Sequence, residues 1–344
     1  MSSNPNQPSD TFHSYVFGGE HLDGDRLTLQ HKIFQPNFQE VIERVLGPEY
    51  GLATRIEQVL NMSKGDKLKP APIRILDAGC GEGLFLYYLA GLLERRGLLN
   101  PAVMQLVGVD SNLTAVATAT DFVSTVQPAR PYLRFICHDL TKPFELNPEL
   151  RSILSIRQGQ TNSTATKDAS EGWLEEGGGF DFIYAHAVAE HIPNAQQHIK
   201  YWYNLLKPGG IIFLLDAVLN VDSSGLEVPH PALAPYFSRA FQYTKQINGL
   251  NVSEVAKDWL DQLGAEQIQF FPVIIPAGGN SEIGMMMLRN LVMIVRNTLP
   301  QLIALKIMTE EEGQALIDLL FKELSPQCIG HFTCLNTLAR KPLA

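Results

Sequence analysis

Hydrophobic and polar positions follow two successive patterns along the 344 residues of the chain. Residues 11–70 carry apolar residues at helical spacing, in three stretches at 27–34, 38–46 and 53–60. From Ile73 onward, short apolar runs alternate with helical stretches, which is typical of βαβ units around a parallel sheet. The first part of the chain is therefore predicted to be helical and the remainder to be α/β.

The α/β pattern predicts seven strands and six helices. The helices are predicted at residues 84–96, 113–126, 195–206, 252–263, 283–299 and 310–324. The strands are predicted at residues 74–77, 106–110, 133–138, 180–185, 211–216, 267–275 and 329–339. Strands joined by helices favour a seven-stranded, mostly parallel Rossmann-like sheet with helices on both faces.

Changes in composition divide the chain. We predict an N-terminal helical cap over residues 1–70, a Rossmann-like core over 71–281, a helical insertion over 282–327 and a final core strand within 328–344. Within the core, residues 147–179 are polar and are predicted to form a surface insertion. Residues 218–250 form a second long connection.

The segment that indicates chemistry is rich in glycine and lies between the first strand and the next helix. It reads Asp77-Ala78-Gly79-Cys80-Gly81-Glu82-Gly83. Glycine suits this place because the turn is tight and because a ligand can touch backbone that no side chain shields. The free N–H groups at the helix start favour an anionic group of that ligand. Flavin and nicotinamide enzymes use similar glycine patterns, so other features must decide between families.

Acidic residues follow the next two predicted strands. Asp110 ends the second strand, where its carboxylate can accept both hydroxyls of a ribose. Asp139 follows the third strand and can accept a hydrogen bond from an adenine amino group, while Leu140 packs on the ring. The fourth strand ends at Ala185 and His186, beside the expected reversal of strand order, where ligands bind in such sheets.

Five segments, in this order, resemble the class I S-adenosylmethionine-dependent methyltransferases of the small-molecule type. They are ILDAGCGEG, LVGVDSN, ICHDL, FDFIYAHAVAEHI and LLKPGGIIF, and they lie within residues 73–217. The resemblance implies S-adenosyl-L-methionine as the cofactor. By position, it implies that the following residues bind this cofactor: Asp77, Gly79, Cys80, Gly81, Gly83, Asp110, Ser111, Asn112, Asp139, Leu140, Ala185 and His186.

A second resemblance concerns the N-terminal segment. Tyr15-Val16-Phe17-Gly18 and Arg26-Leu27-Thr28-Leu29-Gln30 look like the lid of small-molecule methyltransferases of this class. The resemblance implies that this lid folds over the cofactor, with Tyr15 in contact with it, and that it shapes the acceptor pocket. We assign residues 218–250 as a second lid.

The acceptor pocket is expected to come from residues 11–40, 218–250 and 276–325. Their aromatic and methionine side chains suit an apolar or aromatic acceptor. For Met285 to Met287, the alternative is packing in a helix core, which helical spacing favours. The residues predicted to contact the acceptor are His13, Phe17, Gln30, Tyr236, Phe237 and Met285.

Methyl transfer from a sulfonium depends mainly on alignment of the acceptor and exclusion of water. A base matters only for an acceptor that keeps its proton at neutral pH. His186 is the candidate catalytic base, with Glu190 and His191 as further catalytic candidates. The alternatives are that His186 only lines the wall of the pocket and that His191 has a structural role. No metal site is predicted, because Glu190 is the one acidic residue just after the fourth strand.

Composition and charge narrow the partners. Hydrophobic residues make up 45% of the chain, which predicts a well-filled core, and the net charge of −9 disfavours a nucleic-acid substrate. No secretory signal and no long apolar run are visible, so we expect a cytoplasmic protein without a membrane partner. The four cysteines indicate free thiols, with Cys80 and Cys137 expected to be buried. The small-molecule acceptor is the expected partner, and a homodimer is left open.

Two other functions stay open from the sequence. A NAD(P)-dependent oxidoreductase would share the glycine pattern, but the 33 positions from Asp77 to Asp110 exceed the ~20 typical of dinucleotide-binding folds. A non-catalytic, methyltransferase-like adaptor would bind a protein partner, but the intact glycines and both acids argue against it. We expect a methyltransferase that acts on an O or N atom of a small molecule in secondary metabolism.

Overall fold

A computed structural model describes most of the chain. The described residues are 24–63, 70–126, 131–155, 177–218, 226–227, 236, 238–239, 248, 250–323 and 329–343. The helices are α1 (Gly24–Leu46), α2 (Leu52–Ser63), α3 (Leu84–Arg95), α4 (Leu113–Val126), α5 (Pro148–Leu154), α6 (Ala195–Asn204), α7 (Val252–Gln262), α8 (Glu282–Ala304) and α9 (Glu310–Glu323). The strands are β1 (Ile73–Ala78), β2 (Met104–Asp110), β3 (Leu133–Cys137), β4 (Phe180–His186), β5 (Leu206–Ala217), β6 (Leu226–Glu227), β7 (Glu266–Gly278) and β8 (Ile329–Arg340).

The strands form one mixed sheet in the order β3-β2-β1-β4-β5-β8, with β7 on the other side of β8. Strands β1 to β5 are parallel, and β8 runs antiparallel to both β5 and β7. The two-residue β6 pairs with β8 beyond the end of β5. The seven predicted strands and the Rossmann-like arrangement are therefore confirmed, with one short strand added. Strand order reverses between β1 and β4, which places a crevice at their carboxyl ends.

Alternation of side chains along the central strands fills two cores, one on each face of the sheet. On β1, Ile75 packs with α1, α3 and α8, whereas Leu76 packs with α5, α6 and α7. Residues of β4 and β5 divide between the two faces in the same way. The division into domains stays a prediction, but the apolar face of α1 is continuous with the core that covers one side of the sheet.

Several predicted boundaries are wrong. The patterns at 27–34 and 38–46 form one helix, α1, which passes through Pro36 because apolar side chains on both sides of the proline are buried. The predicted polar insertion begins with a helix, α5, whose first N–H groups are capped by the Asn147 side chain. Strand β5 starts at Leu206 rather than at 211, because Leu206 already pairs with Phe180. Among the described helices, none is long and apolar enough to cross a bilayer.

At the amino ends of the strands, a buried carboxylate is surrounded by donors. Asp181 of β4 accepts hydrogen bonds from the Arg74 backbone N–H at 2.8 Å and the Lys207 ammonium at 2.6 Å. The Arg55 guanidinium of α2 contributes a third contact at 3.0 Å. Burial lowers the pKa of Lys207 even though Asp181 opposes the shift. This cluster fastens α2 and three strands together at the end of the sheet away from the crevice.

Candidate functional site

The glycine-rich segment forms a bend between β1 and α3. Gly79, Gly81 and Gly83 have φ angles of +78°, +50° and +77°, which favour glycine. The N–H groups of Gly79 and Cys80 both donate to the Val109 carbonyl, at 2.8 and 3.1 Å. The bend is thus fixed to the neighbouring strand β2 before α3 begins.

The three glycines are required for different reasons. A Cβ atom on Gly79 would clash with the Val188 side chain, and one on Gly83 would clash with the ring of Phe135. At Gly81, the nearest atom would be Cδ1 of Leu27 in α1, at 3.5 Å. Protein packing alone therefore requires glycine at 79 and 83, whereas Gly81 presents backbone to the space beneath the first turn of α1.

Two carboxylates flank this bend in different ways. Asp110 at the end of β2 accepts the N–H of Gly81 through Oδ2 and that of Asn112 through Oδ1, both at 2.8 Å. Asp77 at the end of β1 is 3% exposed, and its Oδ2 has no hydrogen-bond partner among the described residues. Burial, reinforced by the charge of Asp110, raises the pKa of Asp77 well above its ordinary value. An unpartnered buried carboxylate is costly, so this atom is suited to a ligand cation.

The residues predicted near the adenine lie at the ends of β2 and β3. Ser111 is exposed, and the Asn112 side chain caps α4 by accepting two backbone N–H groups. Asp139 accepts the backbone N–H and the hydroxyl of Thr141, at 2.9 and 2.7 Å. Burial alone would raise the pKa of Asp139, but the hydrogen bonds from Thr141 hold it below its usual value. Leu140 is buried in the core on one face of the sheet.

The cysteines of this region differ from expectation in one case. Cys80 is buried, as expected, and burial raises the pKa of its thiol well above the ordinary value. Cys137 is exposed, so the expectation of a buried thiol is wrong for this residue. It is the last residue of β3, and its thiol donates a hydrogen bond to the Ser111 carbonyl at 3.7 Å. Within the described part of the chain, no group of three His, Cys, Asp or Glu side chains is placed to hold a metal ion.

His186 ends β4 next to the aromatic face of α1. Its ring centroid lies 4.6 Å from that of Phe34 and 5.2 Å from that of Phe38. The ring is partly accessible, but its Nε2 atom is buried without a hydrogen-bond partner among the described residues. Burial, then His31 and Arg26, lower the pKa of His186 to about 3. Burial also lowers the pKa of His31 to about 4, so both rings are neutral at neutral pH.

Glu190 and His191 lie in a short 3-10 turn after β4. The Glu190 carboxylate accepts the N–H of Ala217 at 3.1 Å and lies 3.3 Å from Nε2 of His191. Asp216 at the end of β5, which the sequence reasoning did not select, accepts the N–H of Glu190 at 3.3 Å. These contacts favour a structural role for Glu190 and His191 over a catalytic one. Asp216 could have been selected from its position as an acid at the carboxyl end of a central strand.

Three of the predicted acceptor residues lie within the described part of the chain, each with different surroundings. Gln30 of α1 accepts a hydrogen bond from the buried Arg26 at 2.6 Å. Tyr236 is buried, with its hydroxyl bonded to Thr298, and Met285 is half-buried at the start of α8. His13, Tyr15, Phe17 and Phe237 lie outside the described residues.

The sequence placed Arg26 only within the lid motif, and did not single out His31, Phe34 and Phe38 within residues 11–40. Arg26, His31, Phe34 and Phe38 all lie near His186, through the ring contacts or the electrostatic effects described above. Their spacing places aromatic and basic side chains on one face of a helix. That mixture on an otherwise apolar face was the available signal.

Comparison with known proteins gives the family. The profile of the methyltransferase domain family matches residues 50–267. The chain is 24% identical to the ubiquinone biosynthesis O-methyltransferase of Xanthomonas axonopodis pv. citri (strain 306) over 148 residues. These residues cover 43% of this chain and 44% of that relative.

Two solved structures are also similar to this chain. Phosphoethanolamine N-methyltransferase 2 of Haemonchus contortus, solved with phosphomonomethylethanolamine and S-adenosylhomocysteine, is 17% identical with a TM-score of 0.40, over 83% of this chain and 52% of that one. The plantazolicin methyltransferase BpumL, solved with S-adenosylhomocysteine, is 15% identical with a TM-score of 0.39, over 96% and 95% of the two chains. The chain spans about half of the first two relatives. The family profile covers more than half of this chain, and the chain therefore belongs to the methyltransferase domain family.

Proposed function

We propose that this protein is an S-adenosylmethionine-dependent methyltransferase that acts on an O or N atom of a small, apolar or aromatic molecule. The observation that carries the proposal is the buried, unpartnered Oδ2 of Asp77 at a glycine bend that Asp110 ties to β2. Family membership makes S-adenosylmethionine the cofactor that best explains this arrangement. Its amino group is a cation that Asp77 could bind in a dry environment.

The other cofactor contacts follow from the order of the strand ends. The carboxylate of Asp110, which accepts the N–H groups of Gly81 and Asn112, stands at the end of β2 and is proposed to bind the ribose hydroxyls. Asp139, with one oxygen bound by Thr141, has its second oxygen available in the same row of strand ends. When bound, the cofactor supplies an activated methyl group on a positive sulfur. The residues of the chain bind and orient it, and the packing of α1 over the bend excludes water.

The acceptor is proposed to lie between α1 and the end of β4. The side chains there are the rings of Phe34, Phe38 and His31 and the partly accessible ring of His186. Both histidines are neutral at neutral pH, so this wall favours an apolar or aromatic group.

His186 is proposed to orient the acceptor by a hydrogen bond from or to Nε2. An imidazole with a pKa of about 3 is a weak proton acceptor at neutral pH. The unpartnered Nε2 can still bond an acceptor hydroxyl or amine. Alignment, rather than proton removal, is therefore the contribution that we assign to this residue.

The proposal is tested by calorimetry with S-adenosylmethionine, S-adenosylhomocysteine and NAD, followed by mass spectrometry of candidate acceptors. The expected result is tight binding of S-adenosylhomocysteine and an acceptor mass gain of one methyl group that requires S-adenosylmethionine. Binding of NAD alone would favour an oxidoreductase. Failure to bind any of the three would favour an adaptor.

We also propose that the protein acts in secondary metabolism and is located in the cytoplasm. We propose that it has no nucleic-acid or membrane partner and that it forms a homodimer.

A further inference from the structure

The segment that follows β4 has an unusual backbone. Ala187 has a φ angle of +52°, which is costly for a residue other than glycine. Its N–H donates to the Leu215 carbonyl at 2.6 Å, and the next residue, Val188, fills the space above Gly79. The position of the Val188 side chain against the glycine bend therefore depends on whatever holds this strained segment.

A pair of buried carboxylates holds the segment from both directions. The Asp216 carboxylate accepts the backbone N–H groups of Val188, Ala189 and Glu190. In return, the Glu190 carboxylate accepts the N–H of Ala217, the residue after Asp216. Asp216 is 2% and Glu190 is 5% exposed, so both contacts are made away from water. The ends of β4 and β5 are thus joined by reciprocal side-chain-to-backbone bonds.

We propose that Asp216 is a positioning residue that, together with Glu190, clamps the segment after β4 and so holds Val188 against Gly79 in the cofactor site. This inference rests on the proposed function, because it assumes that the cofactor binds at the glycine bend. As proposed, Asp216 acts through Val188 and not by contact with the cofactor.

The clamp has a dependence on pH. Burial, and then the charge of Glu190, raise the pKa of Asp216 well above its ordinary value, which favours the protonated form of this acid. Among the described residues, the titratable groups that face the pair are His191, which contacts Glu190, and the buried thiol of Cys334. Loss of the Asp216 proton at high pH would place a second negative charge beside Glu190 and weaken the clamp.

The test is the affinity for S-adenosylhomocysteine, measured by calorimetry at about pH 6 and about pH 8.5. Because ionisation of Asp77 would strengthen binding as pH rises, the contribution of the clamp is read against Asp216→Asn, which keeps Asp77. From the lower to the higher pH, the affinity of wild-type protein relative to that of Asp216→Asn is expected to fall about tenfold, which corresponds to about one unit of pKa difference between the free and bound states. Asp216→Asn mimics the protonated acid and is expected to lose this dependence on pH, as is Glu190→Gln. Asp216→Ala is expected to bind weakly at both pH values. Asp258→Asn is the matched control, because Asp258 is exposed on α7 and should behave like wild type.

Thermal melting of each variant at both pH values separates folding from binding. If Asp216→Ala does not fold, Asp216→Asn decides, because it keeps the shape of the side chain. The inference is overturned if Asp216→Asn keeps the wild-type dependence on pH, or if folded Asp216→Ala binds as wild type does. If wild-type protein binds no S-adenosylhomocysteine at either pH, the proposed function fails and this inference fails with it.

Discussion

The two ends of the sheet treat a buried carboxylate in opposite ways. At the amino ends of the strands, Asp181 is satisfied by a backbone N–H, an ammonium and a guanidinium from this chain. At the carboxyl ends, Asp77 is buried to the same degree but leaves one oxygen without a partner among the described residues. The carboxylate at the amino ends is therefore stabilised by the folded chain itself. The carboxylate at the carboxyl ends is destabilised by burial without a partner, and a bound cation would remove that destabilisation. The difference supports the proposal that the cofactor binds at the carboxyl ends of the strands.

The largest expected effect is on stability and comes from removing the buried carboxylate at the amino ends of the strands. Asp181→Ala leaves the Lys207 ammonium and the Arg55 guanidinium without their buried carboxylate, and should lower the free energy of unfolding by about 3 kcal/mol. Denaturant unfolding measures this change. The matched control Asp258→Ala removes an exposed carboxylate and should stay within ~0.5 kcal/mol of wild type. Similar stability for both variants would show that the Asp181 cluster adds little.

The next effect concerns the carboxyl end. Asp110→Ala removes the acceptor of the Gly81 N–H and the proposed partner of the ribose, and should weaken S-adenosylhomocysteine binding by about 1.5–3 kcal/mol. Calorimetry on folded protein measures it. Unchanged affinity would exclude Asp110 from the cofactor site.

The glycines offer a comparison within the bend itself. Gly79→Ala should destabilise the fold by about 1–3 kcal/mol, because the left-handed backbone is combined with a clash against Val188. Gly81→Ala should cost about 1–2 kcal/mol in stability from its left-handed backbone alone, since its nearest neighbour is 3.5 Å away, but should affect cofactor affinity more. Unfolding and binding measured on both variants give the two values. The opposite order in either measurement would contradict the account.

Stability should also depend on pH through Asp77. Its pKa is raised in the folded state, so its contribution to stability is present at low pH and is lost as pH rises through the folded-state pKa. In Asp77→Asn, the free energy of unfolding should therefore fall less steeply as pH rises than it does in wild-type protein. The decrease that comes from Asp216 should remain. Unfolding curves recorded from about pH 5 to about pH 9 test this; identical slopes for wild type and variant would exclude the shift.

The smallest effect is predicted for His186. With a pKa of about 3, it should not titrate between pH 6 and 8, and the rate of methyl transfer should show no inflection from it there. His186→Gln, which keeps a hydrogen-bonding side chain, should lower kcat less than His186→Ala does. An inflection near neutral pH that disappears in His186→Gln would restore the role of a general base.

Much of this fold could be predicted because its signals are local. The apolar runs before Asp77, Asp110 and His186 marked the ends of three strands, and the glycines between β1 and α3 marked the bend. The predicted adenine and ribose residues are at strand ends, as expected, but their roles stay predictions.

Features made by distant parts of the chain could not be predicted in this way. Asp181 depends on Arg55, which lies 126 positions earlier, and Asp216 depends on a turn 26 positions earlier. Glycine is required at position 79 because the Val188 side chain packs against it, and this contact likewise arises from tertiary packing. Local pattern also misplaced the start of β5, where pairing with β4 overrides the turn that Pro208 and Gly209 suggest.

The central claim is that the Asp77 carboxylate binds the amino group of the cofactor, and proton release on binding tests it most directly. In the free protein, burial favours the protonated acid; pairing with the amino group of S-adenosylhomocysteine favours the carboxylate. Calorimetry in two buffers of different ionisation enthalpy should show net proton release at neutral pH for wild type. It should show less release and weaker binding for Asp77→Asn. Equal proton release and equal affinity in the two proteins would contradict the claim.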